Sequence, residues 1–210
     1  MIRNNVIKHK YGIGIQCYTP HSIIERNKIY SKDSAETCIG MLNNSNTILK
    51  ENELFSDGSK VFHAGIVLRL CDNITIEKNY FSNTSGILTA YQCTRTIVFN
   101  KNSIDIKDKD YGKNTYFSAP FYFSSDAASF YLKKNVININ NSKSSQLIEA
   151  PVGFKGGLVI DSNIISISNK KSIPAFTYLI RNIERYTIKR NRNLAEQGII
   201  EKISNLPNEN

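Results

Sequence analysis

The chain has 210 residues, 40% of them hydrophobic and 21% charged, with 27 basic against 18 acidic side chains and a net charge of +9. That balance excludes a disordered tail, and the length supports one domain with a sizeable core. No apolar run reaches the roughly 18 residues a membrane helix needs, and the N-terminus lacks a secretory apolar stretch.

Two residue types are in excess, 30 Ile and 25 Asn, and their positions repeat. In chain order, the pattern apolar-x-x-Asn-x-apolar falls at Ile2-Asn5-Ile7, Ile24-Asn27-Ile29, Leu49-Asn52-Leu54 and Ile76-Asn79-Phe81. It continues at Phe99-Asn102-Ile104, Leu132-Asn135-Ile137 and Ile160-Asn163-Ile165, and degrades at Ile188-Asn191-Asn193. Successive Asn lie 22, 25, 27, 23, 33, 28 and 28 residues apart. Between the copies run shorter apolar stretches, among them Ile13-Gly14-Ile15, Ile39-Gly40-Met41-Leu42, Gly65-Ile66-Val67-Leu68, Gly86-Ile87-Leu88 and Phe121-Tyr122-Phe123. Period-2 alternation of Ile, Val, Phe and Tyr predicts strands. One unit therefore reads strand, short turn, strand, Asn turn, strand, variable loop.

Three short strands per repeat make one coil of a single-stranded parallel β-helix, which buries its apolar side chains only by stacking. The pattern predicts an all-β, right-handed helix of about seven to eight coils over 1–193, with 194–210 as a C-terminal cap and tail. The Asn is expected to take the left-handed bend and to hydrogen-bond the same Asn in adjacent coils. The first coil starts at Ile2 with no visible cap, so a fragment of a longer chain or a homo-oligomer, a trimer in particular, is expected.

These Ile-x-x-Asn-x-Ile units resemble the right-handed parallel β-helix proteins of the pectin-lyase-like superfamily, over almost the whole chain. The resemblance implies a carbohydrate-binding or carbohydrate-processing domain of the tailspike or polysaccharide-lyase kind, outside the cell or on a virion surface. If the chain is an enzyme, the resemblance implies a polysaccharide lyase or glycoside hydrolase. The partner would be a polysaccharide, an anionic one in particular. The alternative is a non-catalytic structural or adhesion module, towards which outward Leu42, Val67 and Leu88 point.

Within that resemblance, ligands lie along the first strand of each coil. The candidate binding residues on that face are His63, Arg69, Tyr91 and Tyr122, with Gln16 beside them. Tyr111 and Tyr116 belong to an insertion at 105–119 that accounts for the 33-residue spacing. Tyr rings stack on sugars, and Arg69 would pair with a uronate carboxylate. Asp126 and Glu149 are the candidate catalytic acids, since neighbouring coils place two outward carboxyls within the about 5–9.5 Å that glycosidic chemistry uses. Enzyme signatures of the superfamily (Asn-Thr-Asp, Gly-His-Gly, Trp-Ile-Asp-His) are absent.

The four Cys show no CxxC and no zinc-finger spacing, so neither metal nor cofactor is expected, and the thiols read as small core residues. Residues just before each Asn form two charge ladders: Glu25, Lys50, Glu77, Asn100, Lys133, Asp161, Lys189, and Arg26, Glu51, Lys78, Lys101, Lys134, Ser162, Arg190. The first alternates in sign over most of its length and fixes register. The second holds Lys78, Lys101 and Lys134 in succession, a basic strip that suits an anionic glycan. Basic residues otherwise scatter along the chain, so nucleic acid is not an expected partner.

Overall fold

A computed structural model describes residues 1–56, 64–84, 86–107, 119–124, 128–140, 146–150, 156–168, 177–180 and 185–193. These residues form 21 strands, numbered in chain order, and no helix. An eight-stranded sheet follows the middle strand of each coil: β1 (Ile2–Arg3), β3 (Ile23–Glu25), β5 (Ile48–Lys50), β8 (Asp72–Glu77), β11 (Thr94–Asn100), β14 (Ser129–Lys133), β17 (Gly157–Asp161) and β20 (Arg185–Lys189). Each strand pairs parallel with its equivalent one coil away.

A second sheet of 13 strands has two wings. One runs through β4 (Lys28–Leu42), β7 (Ala64–Arg69), β10 (Gly86–Tyr91), β13 (Phe121–Ser124), β16 (Gln146–Ala150) and β19 (Thr177–Ile180). The other runs through β6 (Glu53–Ser56), β9 (Tyr80–Ser82), β12 (Ser103–Lys107), β15 (Val136–Asn140), β18 (Ile164–Ser168) and β21 (Arg192–Asn193). The wings meet at β4, which is 15 residues long and also pairs with β2 (Val6–Cys17). The sequence pattern expects a loop between Ile29 and Ile39. No Gly or Pro interrupts that stretch, and the third strand of one coil runs straight into the first strand of the next.

Three inward ladders fill the core. Ile24, Leu49, Ile76, Phe99, Leu132 and Ile160 stack along the eight-stranded sheet. Ile29, Leu54, Phe81, Ile104, Ile137 and Ile165 stack along one wing, and Ile39, Ile66, Leu88, Phe121 and Ile148 along the other. All are buried. Leu88 is thus inward, correcting its outward assignment: Leu88 registers with Ile66, so the outward residues of β10 are Thr89 and Tyr91. Phe99 joins ladders, its ring centroid 5.6 Å from Phe81 and 5.3 Å from Phe121. The second ladder ends on Asn193 opposite Ile165, where the repeat degrades.

The Asn ladder is built differently from the expectation. The residue before each Asn takes the left-handed conformation, with φ of 54–58°: Asn4, Arg26, Glu51, Lys78, Lys101, Lys134, Ser162 and Arg190. The Asn themselves turn inward and are buried from Asn27 to Asn163. Each Oδ1 accepts from both the backbone N–H and the side-chain Nδ2 of the Asn one coil earlier, at 2.8–3.2 Å from Asn27 to Asn163. Each Nδ2 also donates to a carbonyl of the preceding coil, as Asn79 does to Leu49 at 2.9 Å. Asn is retained because one short amide both accepts along the stack and donates along it, which no apolar residue can do at a buried bend.

Of the charge ladders, Lys50–Glu25 (3.1 Å), Arg26–Glu51 (2.8 Å) and Arg190–Asp161 form ion pairs between coils. The Arg190 guanidinium and then the Ser162 hydroxyl lower the Asp161 carboxyl to about 2, against the opposing effect of burial. Lys78, Lys101 and Lys134 are exposed, with no ion pair among the described residues. Residues 105–107, expected in the insertion, belong to β12 and pair with β15. The expected tail 194–210 and residues 108–118 of the insertion lie outside the described residues.

Candidate functional site

Alternation on β4, β7 and β10 aims every second side chain away from the core, and parallel register aligns them into columns. One column holds Gln16, Gly40, Val67, Thr89 and Tyr122, continued by Glu149. The next holds Leu42, Arg69, Tyr91 and Ser124.

A groove of about 350 Å³ opens over these columns. Gly40, Leu42 and Val67 line its middle, Ile13 one end, and Gln16, Glu36, Arg69 and Tyr91 supply its polar groups. Gly40 makes the depression. A Cβ there would lie 3.1–3.2 Å from the Ile13 side chain and project into the groove. Arg69, Glu36 and Gln16 are exposed, and none of their side chains has a hydrogen-bond or ion-pair partner among the described residues. Tyr91 and Tyr122 pair as tilted rings with centroids 5.9 Å apart, extending the surface by one coil. Between Val67 and Tyr122, the Thr89 hydroxyl is buried with no hydrogen-bond partner among the described residues.

The structure thus brings three of the predicted binding residues together: Arg69 and Tyr91 on the groove, and Tyr122 against Tyr91. Glu149 is placed by its backbone, in register with Tyr122. Its side chain, and all of His63, Tyr111, Tyr116 and Asp126, lie outside the described residues. Sequence reasoning missed Glu36, Thr37, Ile13 and Gly40. Glu36 and Thr37 fell in the stretch read as a loop, and their signal was the missing Gly or Pro between Ile29 and Ile39. No cluster of three metal-ligating side chains occurs among the described residues.

A second polar group faces inward. His9 Nε2 lies 2.6 Å from Ser31 Oγ, and that hydroxyl lies 3.2 Å from Cys38 Sγ. Burial pushes the Cys38 thiol up to about 12, although the Ser31 hydroxyl opposes the shift. Such a thiol is a packed core group and not a nucleophile.

Coils stacked in parallel register, with an Asn ladder at one corner and an open groove on one face, define a parallel β-helix protein. The chain belongs to the right-handed β-helix family: the family described as "Right handed beta helix region" matches residues 1–128. No curated protein and no solved structure matches the chain.

Proposed function

We propose that the chain is a carbohydrate-binding or carbohydrate-processing β-helix domain whose groove over β4, β7 and β10 holds a segment of acidic polysaccharide. The observation that carries this reading is the groove itself, with an apolar middle, an Arg69 side chain that has no partner among the described residues, and the adjacent Tyr91–Tyr122 pair. Sugar rings present apolar C–H faces and polar rims, which such a surface complements. Arg69 supplies bidentate recognition of a carboxylate. The exposed Lys78, Lys101 and Lys134, one coil apart, add a field of the same sign. If cleavage occurs, Glu149 beside Tyr122 and Asp126 are the proposed acids.

The test is a panel of acidic and neutral polysaccharides, scored for binding and for chain cleavage, on the intact protein and on Arg69→Ala and Gly40→Val. Binding by the intact protein that both substitutions weaken by tenfold or more supports the groove. Binding or cleavage that neither substitution changes refutes it, and a panel wholly unbound and uncut refutes the carbohydrate reading. Cleavage that survives Asp126→Asn with Glu149→Gln removes those two acids from the proposal. The adhesion reading draws on exposed Tyr18 and Leu70 on the outside of the coils. It predicts a concentration-dependent oligomer that Leu70→Glu disperses, with no glycan bound.

A further inference from the structure

The corner between the first and second strands of each coil repeats the architecture of the Asn corner with different chemistry. Asn43, Leu70 and Gln92 take the left-handed conformation there, with φ of 50–54°. The next residues, Asn44, Cys71 and Cys93, turn inward and are buried. Backbone bonds bracket Cys71 and Cys93 on both sides: Leu70 N–H donates to Tyr91 O at 3.0 Å, and Thr94 N–H to Cys71 O at 2.9 Å. The two Cys are therefore direct neighbours in adjacent coils, about 4.8 Å apart along the stack.

Their thiols sit in equivalent positions. Cys71 Sγ donates to Arg69 O at 3.3 Å and Met41 O at 3.6 Å. Cys93 Sγ lies 3.7 Å from Tyr91 O and 3.9 Å from Leu68 O. The Cys93 thiol also hydrogen-bonds Cys71, and this bond, followed by a backbone bond from Asn44, lowers the Cys71 thiol below its ordinary range despite burial. A Cα separation near 5 Å falls within the range a disulfide spans, about 4.4–6.8 Å, and the two inward Cβ atoms, about 4.8 Å apart, need draw together only slightly to reach the about 3.5–4.5 Å of a disulfide. Cys17 and Cys38 lack this arrangement: Cys17 lies under Asn44 Nδ2 and Cys38 beside Ser31.

We propose that Cys71 and Cys93 are a cross-coil dithiol that closes to a disulfide when the chain meets a small-molecule disulfide oxidant. In the first step the Cys71 thiolate attacks one sulfur of the oxidant and expels one thiolate. In the second, the Cys93 thiolate attacks the Cys71 sulfur and expels the other. The protein pair loses two electrons and its two thiol protons, and the oxidant leaves as two thiols. The bond ties the third coil to the fourth directly behind Arg69 and Tyr91, each two residues before its Cys. The inference stands apart from the glycan reading, since it requires only the register of β8 and β11.

The full chain is incubated folded, and separately refolded from denaturant, with oxidised glutathione as the probe. Free thiols are then counted in denaturant and the alkylated digest is mapped by mass spectrometry. Two of the four thiols are expected to disappear, with a mass about 2 Da lower and a single link between Cys71 and Cys93. Cys17→Ser with Cys38→Ser is expected to behave the same, whereas Cys93→Ser keeps all its remaining thiols or stops at a mixed glutathione adduct on Cys71. Four free thiols after oxidative refolding, a link to Cys17 or Cys38, or only mixed adducts in the unsubstituted chain would overturn the proposal. Because the refolding arm exposes every thiol, burial in the folded state does not shield the proposal from the test.

Discussion

Substituting Asn79→Ala tests what holds the coils together. Asn79 is buried near the middle of the ladder. Its Oδ1 accepts from Asn52 N–H and Nδ2, both at 2.9 Å. Its Nδ2 donates to Leu49 O at 2.9 Å, and to Glu77 O and Asn102 Oδ1 at 3.1 Å. Alanine removes all five contacts. The Asn52 backbone N–H and the Leu49 carbonyl are then buried without these partners, whereas Asn102 Oδ1 retains the Asn79 N–H at 2.9 Å. Each lost bond contributes about 1 kcal/mol and each stranded buried group costs about 1–3 kcal/mol, with overlap between the two terms. The expected loss is about 4 kcal/mol, a large share of the roughly 5–15 kcal/mol of a whole domain. Urea unfolding followed by far-ultraviolet circular dichroism measures it. The control is Asn5→Ala, because Asn5 is exposed and its groups regain water; about 1 kcal/mol or less is expected there. Equal losses at Asn5 and Asn79 would show that the ladder is not stabilised by buried amide pairing, and a loss below about 1 kcal/mol at Asn79 would refute the reasoning outright.

Glycine position separates packing from binding. At Gly65 a Cβ would lie 2.7 and 2.8 Å from the buried Phe81 ring and 3.0 Å from Ile87 O, so Gly65→Ala is expected to destabilise by about 2–3 kcal/mol in the same unfolding assay. At Gly40 the crowded neighbour is the partly exposed Ile13, which has room to move; Gly40→Ala should cost under about 1 kcal/mol. Lys101→Gly relieves a left-handed residue at φ 54° and should raise stability by about 1 kcal/mol, whereas Lys101→Val should lower it; equal stabilities would remove backbone strain from the turn. The depressed carboxyl of Asp161 adds stability that is complete above its unfolded value near pH 4 and is lost as pH falls towards about 2. The advantage of the unsubstituted chain over Asp161→Asn should therefore shrink across that window in an acid titration, and a pH-independent difference would exclude the Arg190 pair as its source.

The coil was legible because its determinants are one-dimensional. Ile24, Asn27 and Ile29 recur with their spacing in coil after coil, so each apolar ladder can be written from the sequence before any strand is paired. The site was legible only where it inherits that register. Arg69 and Tyr91 fall in one outward column because Leu68 and Ala90 fall in one inward column. Glu36 escaped because the boundary between coils varies in length and, at β4, vanishes. The candidates Tyr111, Tyr116, Asp126 and His63 lie outside the described residues; in the sequence they occupy the stretches between repeats, where no ladder dictates a position.

The turn shows why a recurring residue can mislead about its role. Asn recurs at each corner and is also the non-glycine residue most at ease in the left-handed region, so the two facts invite one explanation. The structure separates them. The strained position is held by Asn at Asn4 but by Arg, Glu, Lys or Ser in every later coil, residues with no shared preference for that backbone, while every ladder Asn has ordinary φ. What is common to the strained residues is a side chain at least partly exposed, and the long ones reach along the stack, so that Arg26 meets Glu51 and Arg190 meets Asp161. What is common to the Asn is a buried amide with one acceptor and two N–H donors to satisfy. The backbone strain at the corner is therefore offset by the residue that follows it, because the left-handed turn is what swings each Asn inward onto the next. At the corner holding Cys71 and Cys93 the same backbone persists without the amides, and the two thiols lie against carbonyls in their place. A thiol is a weaker donor than an amide. That corner is accordingly the one where a covalent bond between coils would add most to what the hydrogen bonds supply.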